Sequence, residues 1–177
     1  GEIVVYDRSS GRPVARFEGA SDTPRNFAFM PDDRRIAIAP GMGGEHRGIR
    51  IWNWEKNTIE TLAGYHTSWH VAASLDGKWV ANGTGSTNSI VLWDLATGTS
   101  VDLGHHQGGV TDVAFSPDSR MLVSCSTDGE VKVWSLESKT EVRSLQGHSG
   151  AFLTTVFSPD GAFLATAGDD RKIVFWD

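Results

Sequence analysis

One short apolar strand returns five times along the chain. It reads Ile3-Val4-Val5-Tyr6-Asp7, Ile49-Arg50-Ile51-Trp52-Asn53, Ile90-Val91-Leu92-Trp93-Asp94, Val131-Lys132-Val133-Trp134-Ser135 and Ile173-Val174-Phe175-Trp176-Asp177. The aromatic fourth residues, Tyr6, Trp52, Trp93, Trp134 and Trp176, are 46, 41, 41 and 42 residues apart. A period of that size means one supersecondary unit stacked on copies of itself, because a single unit cannot bury both of its faces. Each of the first four strands is followed by a turn and a second strand, at residues 13–17, 58–62, 99–103 and 141–145. The turns carry Ser9-Ser10-Gly11, Glu55-Lys56-Asn57, Ala96-Thr97-Gly98 and Glu137-Ser138-Lys139. Such residues suit the positive φ and side-chain-to-backbone bonds of a hairpin.

Two more strands precede each Trp. In the third period they span 110–115 and 121–124, joined by Ser116-Pro117-Asp118-Ser119; in the fourth, 152–157 and 163–167, joined by Ser158-Pro159-Asp160-Gly161. Met30-Pro31-Asp32-Asp33 and Ser74-Leu75-Asp76-Gly77 hold the same place earlier. Pro presets φ, Asp caps the turn, and Gly takes its left-handed position. No segment has a helical apolar stripe of useful length. Four strands per period, with turn signals every 8–12 residues, predict an all-β chain built of propeller blades. Twenty Gly and seven Trp against six Pro fit tight turns between aromatic strands. The blades are expected at about 26–62, 69–103 and 110–145. The last two strands of a blade are expected at 1–19, and the first three strands of another at 152–177.

Leu145-Gln146-Gly147-His148, Phe157-Ser158-Pro159-Asp160-Gly161, Leu164-Ala165-Thr166 and Trp176-Asp177 closely resemble the WD-repeat (WD40) β-propeller motif. Gly104-His105-His106, Phe115-Ser116-Pro117-Asp118 and Trp134-Ser135 repeat it, and the first two periods are degenerate. The resemblance implies four-stranded antiparallel blades and a buried hydrogen-bonded chain of His, Ser/Thr, Asp and Trp in each regular repeat. Carried over, the third period supplies His106, Ser126, Asp128 and Trp134. The fourth supplies His148, Asp170 and Trp176, with Gly168 at the Ser position, so its chain is expected to be incomplete or closed by water. Tyr65 and Thr87 stand at the His and Asp positions of the second period, and Ala20 at the His position of the first. Those two blades are expected to rely on packing alone. Rings of this family usually close with about seven blades. These 177 residues therefore read as a segment of a larger propeller, beginning in mid-pattern, or as a unit that associates with another copy.

Ser126, His106 and Asp128 are a scaffold set rather than a catalytic triad. The same positions recur in several repeats, and nothing near Ser126 resembles a strained nucleophile elbow. Cys125, the only cysteine, sits in an apolar strand and reads as an inert core thiol. It excludes an intrachain disulfide and a multi-cysteine zinc site, and it suits a reducing, cytoplasmic location. His66 and His70 are four apart but lack a nearby acidic third ligand. Gly83-Thr84-Gly85-Ser86 has neither the Lys nor the helix of a phosphate loop. No cofactor or metal is expected. A net charge of −6 without a basic run argues against nucleic acid as the partner, and no apolar stretch is long enough to span a bilayer.

The irregular feature is a Gly-rich insertion, Pro40-Gly41-Met42-Gly43-Gly44-Glu45-His46-Arg47-Gly48. By the resemblance it shares a face with the loops holding His66, Trp69, Gln107 and Ser149, and that face commonly takes the partner. Met42, His46, Arg47, His66, Trp69 and Gln107 are therefore the candidate partner-binding residues, Arg and aromatics being good anchors. The function expected is a non-catalytic scaffold for a protein or peptide partner. A regulatory module of a larger effector protein is the alternative. An enzyme with a site in the propeller channel is a further one, and it needs convergent groups at the inner strands, where Asn26, His70, Asp112 and Thr154 fall.

Overall fold

A computed structural model describes residues 2–18, 24–40, 48–63, 68–151 and 154–177. Its elements are all strands. β1 (Glu2–Tyr6) and β2 (Pro13–Glu18) form an antiparallel pair. Then come β3 (Asn26–Phe29), β4 (Arg35–Ala39), β5 (Gly48–Asn53) and β6 (Thr58–Ala63), paired in that order. The next four-stranded sheet holds β7 (Ser68–Ala73), β8 (Trp79–Thr84), β9 (Ser89–Asp94) and β10 (Thr99–His105). The third holds β11 (Val110–Phe115), β12 (Met121–Ser126), β13 (Glu130–Ser135) and β14 (Thr140–Gln146). A three-stranded sheet of β15 (Thr154–Phe157), β16 (Leu164–Ala167) and β17 (Ile173–Trp176) follows. All pairings are antiparallel between neighbours in sequence, so each sheet is a simple meander. The described sheets make an open array of blades, not a closed ring.

The turns between the first two strands of each blade follow from their side chains. Ser116 Oγ donates to Asp118 Oδ1 (2.6 Å) and accepts the Met121 N–H (2.9 Å). Ser74 with Asp76 and Ser158 with Asp160 repeat the arrangement at 2.7 and 2.6 Å. The last turn residue is left-handed in all four blades, at φ 52° in Asp33, 72° in Gly77, 56° in Ser119 and 74° in Gly161. Two of the four use glycine, which takes this region without strain.

Sheets stack face to face through residues alternating along the strands. Ala37, Ile49, Ile51 and Leu62 meet Val71, Val80 and Trp93. Ala81, Ile90, Leu92 and Leu103 meet Val113, Leu122 and Trp134. Val123, Cys125 and Val131 meet Leu164 and Trp176, and Phe17 lies among Ile36, Ile38 and Trp52. Each repeat Trp thus faces the preceding sheet. A buried indole removes 150–250 Å² from water, roughly 4–6 kcal/mol at about 25 cal/mol per Å². At the two ends of the array the same kind of face is uncovered. Phe27 and Phe29 are exposed on β3, as are Val156, Ile173 and Phe175 on the last sheet.

Candidate functional site

The strand ends that carry the β8–β9, β10–β11 and β12–β13 connections form one face of the array, and the polar chains lie just beneath it. Trp134 Nε1–H donates to Ser124 Oγ (2.8 Å), which pairs with His106 Nε2 (2.8 Å). His106 Nδ1 pairs with Asp128 Oδ2 (3.2 Å). That oxygen also accepts the N–H groups of Gln107 (2.7 Å) and Gly108 (3.3 Å), and Asp128 Oδ1 accepts the Glu130 N–H (2.9 Å). Donor counting sets the tautomer. The carboxylate only accepts, so Nδ1 carries the proton; Nε2 then accepts the Ser124 hydroxyl proton, leaving Ser124 Oγ a lone pair for the indole. Trp176, Thr166, His148 and Asp170 repeat the chain at 3.0, 3.0 and 2.9 Å.

The relay is therefore Ser124, not Ser126, and the fourth chain is complete through Thr166 rather than broken at Gly168. The reason is strand periodicity. Residues two apart share a face, so Ser124 and Ser126 point the same way, but only Ser124 lies deep enough to sit under the indole nitrogen. Trp134 pairs across the sheet with Leu122, one same-face step from Ser124. Ser126 Oγ instead accepts the Asp128 N–H in the turn beyond (3.2 Å).

The degenerate blades do not rely on packing alone. Asn82, at the relay position of β8, accepts the Trp93 Nε1–H through Oδ1 (3.1 Å). In β4 that position is Ile38, and Trp52 Nε1 reaches Asn57 Oδ1 (3.4 Å) in the following turn. Thr87 pairs with Thr84 (2.7 Å). Tyr65 and Ala20 lie outside the described residues.

Burial pushes His106 below its ordinary value, outweighing the Asp128 charge that would raise it. Burial would raise Asp128, but the Glu130 N–H, the His106 ring and the Gln107 and Gly108 N–H groups together hold it below the usual carboxylate range. The hydrogen bond from His148 lowers Asp170. Burial pushes the Cys125 thiol far up, which suits an inert core residue. His106, Asp128 and Glu130 lie close enough to share an ion. Both ring nitrogens of His106 are already engaged, however, so the trio lacks a ligand from it.

Of the candidate partner-binding residues, Met42, His46, Arg47 and His66 lie outside the described residues. Trp69 and Gln107 lie within them. Trp69 is the extra residue of a β-bulge, since β7 pairs with β8 through Ser68–Thr84 and then His70–Gly83. Its indole lies on glycine backbone: a Cβ at Gly85 would come within 2.5 Å of the ring, and one at Gly109 within 3.4 Å. The Arg25 guanidinium lies 5.7 Å from the ring centroid, a cation–π distance. Trp69 thus joins three successive blades at the rim, with part of the ring exposed. The Gln107 backbone is pinned by Asp128 while the residue itself is exposed.

A profile described as WD domain, G-beta repeat, matches residues 98–135 and 139–177. The chain belongs to the WD-repeat family. It is 32% identical over 140 residues to the WD repeat-containing protein SL1-17 of Schistosoma mansoni, covering 76% of this chain and 44% of that protein. It is 29% identical over 164 residues to Pre-mRNA-processing factor 19 of Oryza sativa subsp. japonica (82% and 28%). To Protein ROOT INITIATION DEFECTIVE 3 of Arabidopsis thaliana it is 37% identical over 136 residues (76% and 31%). The chain spans less than half the length of each of these relatives.

As WD repeats, the His–Ser/Thr–Trp chains are scaffold, and the rim above them is where this array differs from blade to blade. Sequence reasoning missed Arg25, Gly85 and Gly109 as the setting of Trp69. The one signal for it was the run of small residues 83–86, needed wherever a ring lies flat on backbone.

Proposed function

We propose that this WD-repeat array is a non-catalytic scaffold that docks a protein or peptide partner on the face carrying Trp69 and Gln107. The observation that carries the reading is the rim itself. A part-exposed indole is held rigidly by glycine backbone and a neighbouring Arg, beside an exposed glutamine on a pinned backbone. Rigid aromatic anchors lose little entropy on binding. Net charge and the lack of a basic run favour a protein partner over nucleic acid. The reducing cytoplasm is the matching location for a protein whose single thiol is buried.

A photo-crosslinking residue at Gln107, compared with one at Leu75 in a turn at the opposite ends of the strands, tests this in cells. A discrete adduct at Gln107 and none at Leu75 supports the face assigned; the reverse pattern overturns it. The matches cover only 44% and 28% of two of the relatives, which favours a second reading in which the array is the regulatory part of a larger effector. That reading predicts that a Gln107 adduct forms within the same polypeptide.

A further inference from the structure

The inner strands β3, β7, β11 and β15 have a sheet neighbour on one edge only, so the N–H groups of the other edge need partners from elsewhere. Side chains of the preceding blade supply them. Asn26 Oδ1 accepts the Val71 N–H (3.1 Å). One junction further on, His70 Nδ1 contacts Asp112 Oδ1. At the next, Asp112 Oδ2 accepts both the Thr155 N–H and the Thr154 hydroxyl, each at 2.8 Å. Asp112 Oδ1 also takes the Val113 N–H (2.8 Å). The carboxylate is 4% exposed. It therefore takes hydrogen bonds from its own sheet and the next, and touches His70 of the one before, in a place where an unpaired charge would be very costly.

Backbone irregularity aims these groups. The β7–β8 register slips between Ser68 and His70, and the β11–β12 register slips between Val110 and Asp112. A bulge adds a residue and redirects the side chain that follows. Trp69 and Thr111 are the extra residues, and His70 and Asp112 follow them directly. The bulge that turns Trp69 onto the rim thus also turns His70 toward Asp112.

We propose that Asp112 is a positioning residue: a clasp that seats the C-terminal three-stranded sheet on the third blade and ties both, through His70, to the second. The last sheet needs such a clasp most. Its strands have four residues each, and Leu164 is its one buried apolar side chain among the described residues. The same geometry withdraws His70 and Asp112 from acid–base work in the channel. Both oxygens of Asp112 are occupied by scaffold donors, leaving the carboxylate no free face for a substrate proton.

Amide hydrogen exchange on the intact protein tests the clasp. Asp112→Ala is expected to speed exchange at Thr155 about tenfold or more while leaving Val71 unchanged, because local opening is read site by site; Asp112→Asn keeps an acceptor oxygen, as Asn26 does for Val71, and is expected to retain most of that protection. Asn26→Ala is expected to do the converse, exposing Val71 and sparing Thr155. Unchanged protection of Thr155 in Asp112→Ala would overturn the proposal, as would equal loss at Thr155 and Val71. Should the Asp112 variants fail to fold, Thr154→Val removes one clasp bond while keeping the side chain's shape. It is expected to raise exchange across 154–157 by about threefold relative to 71–73; no difference between the two segments rejects the clasp equally.

Discussion

The third blade and the first solve the same problem in opposite ways. Both bury a tryptophan completely, Trp134 at 2% exposure and Trp52 at 0%. Trp134 is tied by its indole N–H to Ser124, and through it to His106 and Asp128. Trp52 has Ile38 beneath it and only a long bond to Asn57, with Phe17 at 5.4 Å between ring centroids and Trp54 at 6.4 Å supplying contact instead. One residue, two positions along the strand from the partner of the Trp, decides which solution a blade uses: Ser124, Thr166, Asn82 or Ile38. A hydroxyl relay commits the blade to a His and an Asp, because a buried hydroxyl or imidazole without partners costs about 1–3 kcal/mol. The aliphatic Ile38 frees the other positions of the first blade, and in the second Asn82 holds the Trp93 N–H without a His or an Asp.

This contrast can be broken at several points. Asp128→Ala removes the acceptor of four donors, and we expect a loss of about 3–4 kcal/mol in denaturant unfolding. Removal of Asn57, the nearest counterpart in the first blade, should cost under about 1 kcal/mol, since its one bond is long. Ser124→Ala orphans His106 Nε2 and the Trp134 N–H, with an expected cost of about 2–3 kcal/mol. Ser126→Ala loses a single turn bond, and its cost should stay below about 1 kcal/mol; equal costs would return the relay to Ser126. Trp134→Phe should destabilise more than Trp52→Phe, by about 1 kcal/mol, because it removes a short bond to a buried relay oxygen whereas Trp52 makes only a long one. A cycle of four melting curves measures that difference.

Acid should separate the two regions as well. His106 has a folded value lowered by burial, so below the unfolded value near pH 6.5 the unfolded chain binds the extra proton. Stability is then lost as pH falls from about 6.5 toward the lowered folded value. Asp128 is also lowered; its contribution is present above the unfolded carboxylate value and is lost as pH falls further, through the folded one. The midpoint of unfolding should therefore drop between pH 7 and pH 5, and His106→Gln should flatten that limb. The smallest effect belongs to the rim. Gln107→Glu should weaken partner binding severalfold without moving Tm, since the pinned backbone is untouched. Trp69→Ala should lower both, because the indole also packs on Gly85 and Gly109.

The blades were legible because their signals are local. The spacing of the Trp strands, the Ser-x-Asp turns and the alternation of apolar residues are each written within a few residues. The His–Asp ends of the polar chains were legible only through the resemblance to WD repeats, which placed His106 with Asp128 and His148 with Asp170, and both pairs form. The relay was not. Ser124 and Ser126 are equivalent to any period-2 reading, and only the reach of the indole nitrogen distinguishes them. Asn82 escaped notice because an amide does the work of a hydroxyl there.

By itself the sequence determined the repeat, the strand order, the turn chemistry and which residues face inward, because these depend on backbone preferences and on a period of two. Only the tertiary structure decided which serine relays, that Trp69 lies on glycine from the next blade's edge, and that Asp112 takes hydrogen bonds from the next sheet while touching His70 of the one before. The last two join residues about 40 positions apart, such as Asp112 and Thr155. Their geometry depends on how one sheet is stacked and bulged against the next, and no local pattern encodes that.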